Sequence, residues 1–137
     1  MRFVDTDVLL YAISDAREDA AKADRANEIL AAGALGVSAQ VLQEFYVQAT
    51  RATRPNPLSH QQAFGLVEAF ARFPVQQVDA RLVLSATGSA KRFRISYWDA
   101  AVLEAARALG CEVVVSEDLS HGQDYDGVRV ENPFRGL

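Results

Sequence analysis

Apolar positions fall in short runs and in stretches of helical period, and the two kinds alternate along the chain. Phe3-Val4 is a brief apolar strand that meets Asp5 and passes into Val8-Leu9-Leu10-Tyr11-Ala12-Ile13, an apolar stretch of helical length. Residues from about Glu18 to Ala32 mix alanine with charges, a composition that favours helix, and Gly33 followed by Gly36 closes it. Leu35-Gly36-Val37 predicts a second strand. Ser38 then offers a hydroxyl cap to a helix with Val41, Leu42, Phe45, Ala49 and Ala52 on one face, which must end before Pro55 and Pro57. Ser59 and Gln62 have the spacing of a capping box, and the helix behind them carries Phe64, Val67, Phe70 and Ala71 before Pro74 stops it.

Val75 to Val78 is a third strand. Asp79 caps a helix bearing Leu82, Val83 and Ala86, which runs into the basic stretch Lys91-Arg92-Phe93-Arg94. Ser96 begins a helix through Leu109, apolar almost all round and stopped by Gly110. Val113-Val114-Val115 is an uninterrupted β-branched run, the mark of a strand buried on both faces, and Val128 to Val130 supplies a last short strand. Strands alternating with helices predict an α/β fold of three layers, α/β/α, around a central parallel sheet of about five short strands wound with right-handed crossovers. At 137 residues, without repeat or linker, the chain is expected to form one domain over residues 1–137.

Hydrophobic residues make up 50% and charged residues 23%, ordinary values for a globular protein. No apolar run is long enough to cross a bilayer, and Met1-Arg2-Phe3-Val4-Asp5 lacks the layout of a secretion signal, so the expected location is cytoplasmic. Cys111 stands alone, can form no internal disulfide and reads as a small core residue. The net charge of −4, from 18 acidic against 14 basic residues, argues against broad electrostatic adhesion to nucleic acid. It is compatible with a centre that concentrates carboxylates for cations and grips its substrate through a local basic patch.

In an open parallel sheet, ligands bind beyond the carboxyl ends of the strands. Asp5 ends the first strand and Asp118 follows Val113–Val115, so both acids belong to that edge. The helices that begin at Ser38 and Ser96 start at the same edge, which brings in Asp99 from the first turn and Glu44 from roughly 9 Å further along its axis. Asp99 shares a helical stripe with Val102, Leu103 and Ala106, and Glu44 flanks the face of Val41 and Phe45. Carboxylates at the margin of a core are expensive unless paired or bound to a cation. Taken singly each has a plainer role: Asp99 as a capping-box acid behind Ser96, Glu44 as a solvated helix residue, Asp5 and Asp118 as turn formers or caps. Four acids converging on one edge make a stronger signal. All-oxygen ligation suits Mg²⁺ or Mn²⁺, and one or two such ions activate water and stabilise in-line displacement at a phosphodiester. No Ser/His/Asp or Cys/His arrangement competes with this reading.

The opening Val4-Asp5-Thr6-Asp7-Val8-Leu9-Leu10-Tyr11 resembles the start of PIN-domain proteins, with Asp7 standing where Asn is more usual. The likeness continues through Ser38-Ala39-Gln40-Val41-Leu42-Gln43-Glu44-Phe45, Ser96-Tyr97-Trp98-Asp99-Ala100 and Ser116-Glu117-Asp118-Leu119-Ser120-His121-Gly122-Gln123 to Asn132-Pro133-Phe134, essentially the whole chain. The resemblance implies a PIN fold, a divalent-metal endoribonuclease and the toxin half of a VapBC-type toxin–antitoxin pair. It also implies that Asp5, Glu44, Asp99 and Asp118 are the catalytic, metal-binding quartet, with Thr6 as a hydroxyl behind them. RNA would be the substrate. A homodimer and a cognate antitoxin, whose C-terminal segment covers the acidic edge, would be the assembly.

Lys91, Arg92 and Arg94 precede the Asp99 helix and read either as phosphate contacts or as partners of helix C-terminal carbonyls, with Arg51 and Arg54 as further cations. His121 reads as a polar loop residue or an aid to proton transfer, His60 as an exposed neighbour of Ser59, and Trp98 as a core or interface anchor. Two rival functions stand beside the nuclease. Asp5-Thr6-Asp7 has the look of a haloacid-dehalogenase-type phosphohydrolase, which needs a lysine by the phosphate; only Lys22 and Lys91 exist, and Glu44 would be unexplained. The other rival is a non-catalytic PIN-like module that binds RNA or a partner.

Overall fold

The computed structural model describes the whole chain, Met1–Leu137. Its elements are β1 (Arg2–Val4), α1 (Thr6–Ala12), a 3₁₀ turn (Arg17–Asp19), α2 (Ala20–Ala32), β2 (Leu35–Ser38), α3 (Ala39–Thr50) and α4 (His60–Phe70). There follow β3 (Val75–Gln76), α5 (Ala80–Phe93), α6 (Tyr97–Ala108), β4 (Val113–Val115), β5 (Asp124–Tyr125) and β6 (Val128–Glu131). The caps are those that local chemistry demands. Ser38 accepts from the Val41 N–H, Ser96 from that of Asp99 and Asp79 from that of Leu82, while Ser59 and Gln62 form a reciprocal capping box.

One six-stranded sheet runs in the order β3-β2-β1-β4-β6-β5, parallel except for β5. The chain steps from β1 to β2 to β3 in one direction and then returns across the sheet to β4. Right-handed crossovers therefore put α1 to α4 on one face and α5 and α6 on the other, giving the three-layer α/β/α arrangement. The reversal makes the boundary between β1 and β4 a topological switch point, where the loops leaving neighbouring strands diverge and open a crevice.

The expected five strands become six. The extra one, β5, is made by Asp126-Gly127, both with positive φ (56° and 94°), a two-residue hairpin turn that reverses Asp124–Tyr125 onto β6. Helix faces also differ in detail. On α4 the inward set is Ala63, Leu66, Val67 and Phe70, at 3-4 spacing; Phe64 lies 100° off it and is 51% exposed, and Ala71 lies past the end. Val83 is likewise turned outward beside the buried Leu82 and Ala86, and Ala52 falls beyond the end of α3. The Glu18 start gives way to the 3₁₀ turn, with α2 proper beginning at Ala20.

The core joins the strand residues Phe3, Val4, Val37, Val114, Val115 and Val130 to Leu9, Phe45 and Leu103 from the helices, and Cys111 is buried among them. Phe45 and Phe70 meet edge to face at 5.1 Å, which locks α4 onto α3. At Gly36 the sheet is closely covered by side chains. A Cβ there would stand 2.9 Å from Leu109 Cδ1, 3.4 Å from Met1 Sδ and 3.5 Å from Cys111 Sγ, so a larger residue would force the Leu109 side chain to move. Gly36→Val is expected to destabilise the fold by about 1–3 kcal/mol through overpacking, measured by urea unfolding; an unchanged midpoint would show that Leu109 moves aside without cost.

Candidate metal centre

Register places the first two parts of the site. Val4 pairs with Val115, so Asp5 and Ser116 leave adjacent strand ends side by side, and the Asp5 N–H donates to the Val115 carbonyl at 3.1 Å. Asp5 caps α1. Its Oδ1 accepts the Thr6 N–H at 2.8 Å, and its Oδ2 accepts the Ser116 hydroxyl at 2.8 Å, with only 7% of the residue exposed. Asp7, in the first turn of α1, turns back to the same point. Its Oδ2 accepts the Glu117 N–H at 2.8 Å and lies 3.4 Å from the Ser116 hydroxyl. Its Oδ1 is buried without any hydrogen-bond partner. Ser116 Oγ also accepts the Asp118 N–H at 3.1 Å, tying the loop that carries Asp118 to the two acids.

The carboxylates of Asp5, Asp7 and Asp118 offer oxygens that all lie within 4.8 Å of one another. Glu44 and Asp99 stand around this trio. Glu44 Oε2 accepts the Thr6 hydroxyl at 3.1 Å and Oε1 accepts the Gln40 amide at 2.7 Å, which aims a side chain from the second turn of α3 toward the strand ends. Asp99 sits half-buried in the first turn of α6, close enough for its charge to act on Asp118.

Burial and crowding shift the acids upward. Burial, then the charges of Asp118 and Glu44, against the hydrogen bonds from Ser116 and Thr6, push Asp5 to about 6 from an ordinary 3.8. Burial and then the charge of Asp5 push Asp7 to about 8. Asp118 is raised as well, by burial and then by Glu117, Asp99 and Glu44. Without a cation Asp7 keeps its proton at neutral pH. A hard divalent cation fits the donor set: it supplies the charge that these carboxylates lack and a partner for the orphaned Asp7 oxygen.

Sequence reasoning missed Asp7 as a member of the group and noted it only as a departure from Asn. Spacing alone gave no signal for it, since Asp7 is brought to the group by the Glu117 amide and the Ser116 hydroxyl. Ser116 and Gln40, which hold the acids, were also missed. So was a brace on Glu117: Lys22 Nζ donates to Glu117 Oε2 and to the Tyr11 hydroxyl, each at 3.1 Å, and that hydroxyl donates to Glu117 Oε1 at 2.5 Å. The brace engages the one lysine near the centre with Glu117 and Tyr11, and not with Asp5 or Asp7.

The basic stretch divides. Arg92 pairs with Asp126 at 3.1 Å, in the turn leading into β6 at the opposite end of the sheet from the acids, so it is turned away from the centre. Lys91 and Arg94 are exposed and unpaired, Arg94 being the left-handed cap of α5. Arg51 is the exposed cap residue of α3. Arg54 is half-buried, forms no ion pair, and lines a hollow of about 180 Å³ with Asp7, Tyr11, Asp19 and Glu117. His121 Nδ1 accepts the Asn132 N–H at 3.0 Å, a loop tie, and His60 shares a hydrogen bond with the Tyr46 hydroxyl. Trp98 is not a core anchor; it is 64% exposed.

Fold and centre together define an α/β protein with an acidic cluster at the switch point of its sheet. The chain belongs to the PIN-domain family, whose model matches residues 2–123. No curated protein matches it by sequence. Among solved structures it is similar to a toxin–antitoxin complex from Klebsiella pneumoniae, at TM-score 0.69 and 18% identity over 98% of both chains. It is also similar to DNA-bound VapBC from Salmonella typhimurium, at TM-score 0.67 and 18% identity over 96% of this chain and 97% of that one. A third is Mycobacterium tuberculosis VapC20, described as a toxin that cleaves the sarcin–ricin loop, at TM-score 0.62 and 21% identity over 83% and 87%.

A raised carboxylate makes stability fall with pH. Between 3.8 and about 8 the folded chain keeps protons that the unfolded chain has released. In chelator, melting temperature should therefore drop between about pH 5 and about pH 8, and Asp7→Asn should flatten the drop and melt higher than the parent at the upper end. Calorimetry across that range checks it; a parent curve that is flat or rises would mean that the acids are not crowded in solution.

Proposed function

We propose that this chain is a divalent-metal-dependent endoribonuclease, a single PIN-like nuclease domain over residues 1–137 acting in the cytoplasm as the toxin of a type II, VapBC-type pair. The observation that carries the reading is the convergence of buried, mutually repelling carboxylates, one with an orphaned oxygen, on the switch point of the sheet. Membership of the PIN family and the toxin–antitoxin proteins that share the fold support it.

Asp5 and Asp118, with Asp7 as an added oxygen donor, would hold Mg²⁺ or Mn²⁺, and Glu44 and Asp99 would complete the set from around them; the cation would supply Lewis acidity and an activated water for phosphodiester hydrolysis. The chain's own groups prepare the centre. Ser116 and the Thr6 and Glu117 backbone amides orient Asp5 and Asp7, while the Thr6 hydroxyl and Gln40 orient Glu44. Arg54, with Lys91 and Arg94, takes the flanking phosphates of the RNA. Glu44 has a place in this scheme that a haloacid-dehalogenase-type reaction would leave empty. Partners are a cognate antitoxin, whose C-terminal segment covers the acidic edge, and a second copy of the chain; light scattering that finds only monomer at high concentration would remove the copy.

Asp5→Asn keeps the cap and its shape while deleting one charge. Cleavage of total cellular RNA with Mg²⁺ or Mn²⁺ should fall by orders of magnitude, and the metal-free variant should melt no lower than the parent. Mn²⁺ should raise the parent's melting temperature by linkage and the variant's by less. RNA binding that persists in the variant, from a parent that never cleaves, would make the chain a non-catalytic PIN-like module. Arg54→Ala should raise KM several-fold, leave kcat nearly unchanged and flatten the salt dependence of KM; an equal fall in kcat would move Arg54 from substrate grip to the chemistry.

A further inference from the structure

Trp98 is the only tryptophan of the chain, and folding leaves it 64% exposed. A side chain of that size is ordinarily well covered, so its position asks for a ligand. It precedes Asp99 in the first turn of α6 and lines an open hollow of about 490 Å³ with Gln40, Gln43 and Glu44. Glu44 also holds the Thr6 hydroxyl at the acidic centre, so the hollow opens directly off that centre. The indole is set by an edge-to-face contact with Tyr97, centroids 5.1 Å apart and planes at 83°, and its N–H has no partner. Gln40 is committed to Glu44, whereas the exposed Gln43 amide makes no hydrogen bond.

We propose that Trp98 is a stacking platform for a base next to the cleaved phosphate of a single-stranded RNA, with the Gln43 amide positioned to bond the edge of that base. The inference rests on the nuclease reading and adds how the substrate is chosen. The lining favours a base over a protein surface. Around the one aromatic ring that lines the hollow stand two carboxamides and a carboxylate, whereas the exposed apolar residues Val47 and Phe64 line an adjoining groove between α3 and α4 that shares only Gln43 with it. An aromatic face accepts any base, while a free carboxamide with both a donor and an acceptor discriminates among them. Bases locked in a duplex offer neither face nor edge, so the substrate is a loop or an unpaired segment.

The lone tryptophan is its own reporter. A labelled oligoribonucleotide is titrated into the protein in Ca²⁺, with the strand verified intact, while its anisotropy and the Trp98 emission are followed together. Emission should be quenched in step with binding, and an abasic strand of equal length should bind more weakly and leave it unchanged. Trp98→Ala should weaken binding and raise KM by about tenfold with kcat nearly unchanged, and Trp98→Phe should recover most of the loss. Binding without quenching, or wild-type affinity in Trp98→Ala, overturns the platform and leaves the nuclease reading in place. Emission that shifts with protein concentration alone also overturns it and makes Trp98 a contact between copies. A parent that neither binds nor cuts RNA in any divalent cation removes the nuclease reading, and the platform with it.

Discussion

Repulsion among carboxylates withdrawn from water is the constraint around which this molecule is arranged. Asp5 and Asp7 lie two residues apart across a strand-to-helix junction, and parallel pairing of β1 with β4 brings the Ser116–Asp118 loop against both. Each hydrogen bond that Asp5 and Asp7 receive comes from a fixed backbone amide or a short hydroxyl, and none from a mobile cation. The fold thus orients a set of acids that no side-chain cation neutralises, leaving that to a proton on Asp7 or to a bound ion. Such a centre stores unfavourable energy when empty and releases it when a cation arrives, which is the condition for strong selection of hard ions over the bulk electrolyte.

The surrounding helices soften that repulsion without removing it. α1, α3 and α6 all begin at the edge where the acids meet, capped by Asp5, Ser38 and Ser96, so the positive ends of three peptide dipoles point toward the centre. Glu44 reaches the group from a second turn because Thr6 and Gln40 draw its carboxylate inward. The brace of Lys22 and Tyr11 on Glu117 then fixes the amide that faces Asp7. Catalytic power in the proposed reaction would depend on these supporting contacts as well as on the acids themselves.

Much of this was legible in the residue pattern, because caps and β-branched runs act locally. Ser38, Ser59, Asp79 and Ser96 each start the helix they announce, and Val113–Val115 is the buried central strand its composition implies. Asp5 and Asp118 meet as strand ends of a parallel sheet should. What stayed hidden depended on tertiary detail. The burial of Asp7 follows from where the Glu117 amide comes to rest, and the loss of Arg92 to Asp126 follows from a hairpin whose Asp-Gly signal was overlooked. Phe64 and Val83 show that apolar identity does not fix a helix face; the 3-4 rhythm of their buried neighbours does.

Both margins of the sheet are very short. β3 on one side and β5 on the other contain two residues each, and β5 runs antiparallel to the strand it covers. An exposed strand is a template on which another chain can extend the ladder, and the longer and flatter it is, the better it serves. Here a foreign strand would find two residues of backbone before the chain turns away, too few to repay its ordering. The same two margins, which give the core Tyr125 and one side of Val75, therefore guard the parallel centre, Val-rich and strongly sheet-forming, against recruitment into edge-to-edge aggregates.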